Sequence, residues 1–219
     1  MSSASVGVLA SKQSQTASIQ AHLDEAIEGL LASLPAPEQV SADQRRGIIA
    51  RYSAVLEGNF IYWMTGAYLA VGSDLARAKI VENLLEEVRD CHPGMMRRFA
   101  LAAHAIPTDA DAQSVYRNLM NVRLFIGKLS PVPIVITMAF FEGFIQRFMP
   151  YLAELARRQG SNEMEYTDVH GVCDITHTQE LFRALEAEMA LANGSVATDE
   201  VFEGVTLLRT LIRNIVVND

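Results

Sequence analysis

The sequence predicts an all-α fold of about seven helices in a single domain, and three observations carry that prediction. Apolar residues recur at helical spacing through most of the 219-residue chain. No segment alternates at period two between turn signals, and no repeat or low-complexity tract interrupts it. The connections rich in Gly, Pro, Ser and Asn, around residues 35–41, 105–110, 159–163 and 193–198, are short, as in one bundle.

Residues 1–15 are small and polar, with no charged start followed by an apolar run, and read as a flexible tail before a helical domain over 16–219. The first helix follows from Ile19, Leu23, Ile27, Leu30 and Leu34, and Pro35 and Pro37 end it. Ser41 with Gln44 has the form of a capping box and opens a long second helix to about Gly72. A third starts at the Ser73–Asp74 cap and stops before Pro93, because the residue preceding a proline disfavours helical torsions. A short helix from Pro93 to about Ala103 follows, then one capped at Thr108 or Asp109 that runs to Ile126. The remaining helices fall at about 132–158, 168–192 and 199–216.

Half of the residues are apolar, enough for a sizeable core without disulfides. Acidic residues outnumber basic ones by 26 to 18, and the basic ones form no stripe, which argues against nucleic acid as a partner. The two cysteines, Cys91 and Cys173, are too few for a secreted disulfide framework, and the expected location is cytoplasmic. The most apolar stretch, Pro133 to Ile145, is shorter than the roughly 20 residues of a membrane span and contains Glu142, so no membrane crossing is expected. A carboxylate in such a run needs a partner or a metal to offset its desolvation.

On one helix, His170, Asp174 and His177 stand at i, i+4 and i+7, within an arc of about 60°. Imidazole and carboxylate together suit iron and related first-row metals. Read blandly, the three are a solvated face or a core His–Asp hydrogen bond. Cys173 is turned about 100° from Asp174 along the helix. Glu142, His92 and Glu86 or Glu87 offer the same chemistry from other segments, although the last pair could be the wet face of its helix. His22 and His104 lack an acidic partner at metal spacing and read as surface or structural.

Over residues 45–190 this arrangement resembles the haem-oxygenase-like diiron oxidases and oxygenases, whose seven-helix fold holds two irons instead of haem. The resemblance rests on Asn83 with Glu87, then His92, then Glu142, then the His170, Asp174, His177 triplet, in that chain order. It implies one iron held by Glu87, His92 and His170 and the other by Glu142, Asp174 and His177, with O2 as co-substrate. Arg89 replaces a usual glycine and the step from Glu87 to His92 is short, which leaves Glu86 as a substitute for Glu87. Family members that oxidise nitrogen recruit a further glutamate, for which Glu57 is a candidate.

The resemblance implies O2-dependent oxidation of a small substrate, with N-oxygenation of an amine or aminoheterocycle to hydroxylamine or nitro products in natural-product biosynthesis as the leading expectation. Its alternatives are oxidative carbon–carbon cleavage of a fatty or amino acid, with Arg123 or Lys128 as the carboxylate's anchor, and self-sacrificing oxidation of a side chain such as Tyr62 or Tyr166. A metal-free helical binding protein, or a relative of the same fold with Cys173 as nucleophile, is the rival outside this class. Tyr62, Trp63, Phe140, Phe141 and Phe144 are the expected pocket wall. An external electron donor is the expected partner, and a homodimer is an option.

Overall fold

A computed structural model describes residues 3–192 and 200–217, with side chains from residue 15 onward. Its described residues form eight α-helices and two short 3-10 turns: α1 (Ser3–Ala32), α2 (Ala42–Ala70), α3 (Asp74–Arg89), α4 (His92–Ala102), α5 (Asp109–Ile126), α6 (Pro131–Arg158), α7 (Glu165–Leu191) and α8 (Glu203–Val217). The fold is all α, as predicted. The helices among the described residues number eight against about seven, and the short α4 falls on the segment expected from Pro93 to about Ala103. The backbone is helical from Ser3, within the stretch read as a tail, and the connection expected at 193–198 lies outside the described residues.

Local chemistry sets the boundaries. Ser41 accepts from the Gln44 backbone while the Gln44 side chain returns to the Ser41 N–H, the reciprocal box that the sequence announced. Thr108 and Asp111 do the same at the start of α5, where Arg46 Nη2 donates to both Asp111 carboxylate oxygens at 2.8 and 2.9 Å. Ser73 caps α3, and the buried Glu188 carboxylate accepts from the N–H groups of Gly72 and Ser73 just ahead of it. Between α3 and α4, Cys91 adopts a left-handed conformation (φ 58°), which turns the chain so that α4 opens on His92 with Pro93 behind it. The seventh helix starts about a turn earlier than its apolar pattern suggests, which brings Tyr166 onto it.

α6 is the axis of the bundle, packed along α7 and touching α1, α2 and α8. Every residue from Ile134 to Ile145 is buried, so this helix is apolar all round because it has neighbours all round. It is a continuous helix of 28 residues, longer than the apolar stretch alone suggested and long enough to cross a membrane; 83% of its most apolar window is buried within the bundle. Phe140, Phe144 and Phe148 stack along it in the core beside Trp63 and Phe99. Buried polar residues within this core include Glu142 on α6, Asn83 and Glu87 on α3, His92 on α4 and a polar stripe on the inward face of α7.

Where α8 meets α5 and α6, Gly204 leaves no room for a side chain: a Cβ there would stand 2.1 Å from Thr137 Oγ1 and 2.4 Å from the Phe125 ring. Gly204→Ala is therefore expected to destabilise the fold by about 1–3 kcal/mol through overpacking. Thermal unfolding should show this as a drop of several degrees in Tm; an unchanged Tm would mean that α8 packs less closely here.

Candidate metal centre

Four helices bring the six predicted ligands together. α3 supplies Glu87, the first residue of α4 is His92, α6 supplies Glu142, and α7 supplies His170, Asp174 and His177. All six are buried, between 1 and 6% exposed. The i, i+4, i+7 spacing places the α7 residues on one inward stripe with Tyr166 and Leu181, while Val172 and Ile175 between them face out.

The donors form two adjacent groups. In the first, Glu87 Oε1 lies 2.7 Å from His92 Nδ1 and 3.9 Å from His170 Nε2, and the His92 and His170 rings meet edge to face with centroids 4.5 Å apart. In the second, His177 Nδ1 faces Glu142 Oε1 and Asp174 Oδ1, each at 3.6 Å. Glu87, His92, Glu142, His170 and Asp174 all line one cleft, so the two groups share a space.

Outer contacts fix how these donors are presented. His170 Nδ1 donates to the Tyr166 carbonyl at 2.8 Å, and since a carbonyl only accepts, the lone pair of the neutral ring is on Nε2, towards Glu87. His177 Nε2 donates to Glu86 at 2.9 Å, which leaves Nδ1 facing inward. Asn83 donates to Glu142 Oε1 at 2.6 Å, four residues before Glu87 on the same face of α3. Cys173 Sγ lies 3.1 Å from Asp174 Oδ1.

Charge is crowded here. Burial, reinforced by Glu142, raises the Asp174 carboxyl to about 8. Glu87 is likewise pushed up by burial, against the pull of His92. Burial and the nearby His92 lower His170 to about 4, so its ring is neutral at pH 7. For His177 burial acts downward, but Asp174, Glu142 and Glu86 outweigh it and raise the ring to about 11. Two buried atoms of the site, Asp174 Oδ2 and His177 Nδ1, have no hydrogen-bond partner, and each such group costs the fold about 1–3 kcal/mol. A cation held between carboxylate oxygen and imidazole nitrogen would satisfy both, and the donor set, free of bound thiolate, suits iron.

On the side away from the candidate ligands the cleft is walled by Leu56, Phe60 and Ile61 of α2, Pro93 and Met96 of α4, and Phe141 and Ile145 of α6, around a free space of about 30 Å³. Only Phe141 of the expected wall lines it. Trp63, Phe140 and Phe144 are fully buried in the core, and Tyr62 is 45% exposed beneath the Arg123 guanidinium. Among the described residues no Lys or Arg lines the cleft: Arg123 donates to Asn59 and Lys128 to Glu203.

The reserve candidates go elsewhere. The Glu57 carboxylate pairs with Arg97, tying α2 to α4. Glu86 stands behind His177 instead of beside Glu87. Tyr166 lies against His170 with ring centroids 4.2 Å apart, its hydroxyl 3.0 Å from that of the buried Tyr52. His22 stacks on Phe202 and His104 follows α4 with a positive φ, both away from the site. Cys173 hydrogen-bonds a carboxylate and neither histidine, and burial beside Asp174 pushes its thiol pKa up, both adverse to a nucleophile. Sequence reasoning gave Asn83 no task beyond its place in a motif, missed Tyr52, and found only one wall residue. Asn83 was detectable from its spacing to Glu87; the other contacts cross between helices and leave no local signal.

No curated protein matches the chain. A family model described as iron-containing redox enzyme, of the haem-oxygenase-like type, matches residues 49–211, a range that includes every candidate ligand named above. With the helical bundle and the buried carboxylate–imidazole cluster both in place, the chain belongs to the haem-oxygenase-like family of iron-containing redox enzymes.

Proposed function

We propose that this iron-containing redox enzyme is a non-haem diiron oxygenase that oxidises a small substrate, by N-oxygenation of an amine or aminoheterocycle. The observation that carries the two-iron reading is the pairing of two adjacent donor groups, Glu87, His92 and His170 beside Cys173, Asp174 and His177, with Glu142 3.6 Å from His177 and unsatisfied donor atoms buried in the second. Three carboxylates match the charge of two divalent ions closely enough to hold them without excess. When bound, the irons supply O2 activation, with electrons from an external donor.

The chain's own residues account for the rest. Tyr166 and Glu86 hold the tautomers of His170 and His177, and Asn83 orients Glu142. The α2, α4 and α6 wall keeps water from the reacting face and offers a substrate apolar contact only. That wall supports the amine over a fatty or amino acid, since a carboxylate would find no Lys or Arg among the described residues that line the cleft. The side-chain-oxidising alternative is supported by Tyr166 against His170.

One series of measurements separates these readings. Anaerobic protein titrated with Fe(II) is expected to take up two ions per chain, and brief O2 exposure to give a transient visible absorbance. Amines should speed the decay of that absorbance while fatty acids do not, and the intact mass of the chain should stay unchanged. Uptake of fewer than two ions refutes the diiron reading. A gain of mass on Tyr166 transfers support to side-chain oxidation.

A further inference from the structure

We infer that Cys173 is a positioning residue for the second metal subsite: its thiol holds Asp174 Oδ1 so that Oδ2 is the oxygen presented to the ion. This rests on the two-metal reading above and adds to it a residue outside the ligand set.

A carboxylate that can turn about its Cβ–Cγ bond offers either oxygen, so a site that uses one of them needs the other to be held. Asp174 is 1% exposed, and its two oxygens differ in their surroundings. Oδ1 accepts from Cys173 Sγ at 3.1 Å, whereas Oδ2 is buried with no partner. His177 Nδ1, 3.6 Å from Oδ1, is likewise buried and unpartnered. These two unsatisfied atoms are the donors left open for an ion, and Cys173 Sγ, within 4.8 Å of the Asp174 and His177 donor atoms, stands at the edge of the same group.

The helix explains that division. Cys173 precedes Asp174 by one residue, about 100° round α7, so it reaches the carboxylate from the half-exposed side while His170, Asp174 and His177 share the inward stripe. The angle that set Cys173 apart from the site in the sequence is what makes it an outer-sphere donor: the side chain folds back over its neighbour. Its place matches that of Glu86 behind His177 and Asn83 behind Glu142, so each ligand of the second group has its own outer contact.

The test is an anaerobic Co(II) titration of the full chain, read by metal stoichiometry and by the visible and near-ultraviolet spectrum of each equivalent. Cys173→Ala is expected to bind the first equivalent as wild type does and the second about 10-fold more weakly, the usual cost of losing an outer-sphere partner. The visible bands of the second equivalent should shift as well. Cys173→Ser keeps a donor and should restore both, and thermal unfolding of the metal-free variants separates loss of the second subsite from loss of the fold. Three results would overturn the inference: unchanged binding of the second ion by Cys173→Ala, failure of Cys173→Ser to restore it, or an intense thiolate charge-transfer band in wild type that Cys173→Ala loses, which would make the sulfur itself a ligand. Wild-type protein that takes up fewer than two ions overturns the two-metal reading along with it. Two ions bound by wild type and by Cys173→Ala with equal affinity overturn the role of Cys173 alone.

Discussion

His170→Ala is expected to bind one iron per chain instead of two, with the affinity of the first group reduced by more than about 100-fold, above the range for losing an outer-sphere partner. The loss is that large because nothing nearby can replace the ring. Its Nδ1 is committed to the Tyr166 carbonyl, its Nε2 is the atom facing Glu87, and burial keeps it neutral and able to bind at pH 7. The absorbance that follows O2 exposure should vanish with it. Fold and charge are not what changes: the ring carries no charge at pH 7, and Tyr166 keeps its contacts to Tyr52 and Phe99. Iron bound per chain after gel filtration, alongside a thermal melt of metal-free protein, decides the matter. A variant that keeps two irons at wild-type affinity removes His170 from the ligand set.

What could be foreseen was whatever lies within one helix or at its ends. The boxes at Ser41 and Thr108 and the cap at Ser73 fix three helix starts through contacts three residues apart, and the α7 stripe of His170, Asp174 and His177 needs only the helical repeat. The inward course of Glu142 followed from its cost in an apolar run. What failed depends on packing between helices. Trp63, Phe140 and Phe144 belong to an apolar helix face as much as Phe141 does, but α6 is surrounded, so most of its aromatics face core and only Phe141 meets the cleft. Glu57 and Glu86 could not be placed without knowing that Arg97 stands across from one and His177 from the other. Cys173 was set aside on its Cα–Cβ direction, which says nothing of where a rotamer returns its sulfur.

Asp174→Asn is expected to abolish uptake of the second iron and yet to leave chelator-treated protein more stable than wild type at pH 8. The sign follows from the pKa values. Asp174 rises from an unfolded value of about 4 to about 8, so its ionised form is disfavoured in the fold, and stability falls as pH climbs through that window. His177 rises from about 6.5 to about 11, so its contribution is complete below pH 6.5 and is lost above it. Without metal, wild-type protein should therefore weaken steadily from pH 5 to pH 8, by an amount on the order of a few kcal/mol. Asparagine carries no such charge and should flatten most of the decline. Adding Fe(II) anaerobically reverses the ranking, because an ion at 100 times its Kd stabilises wild type by about 2.7 kcal/mol and the variant by less. Urea midpoints at pH 5 and pH 8, with chelator and with iron, supply all four values. A chelator-treated variant less stable than wild type at pH 8 would mean that Asp174 holds the bundle together, whereas the expected order means that the fold tolerates an ill-satisfied carboxylate in its core in order to bind iron there.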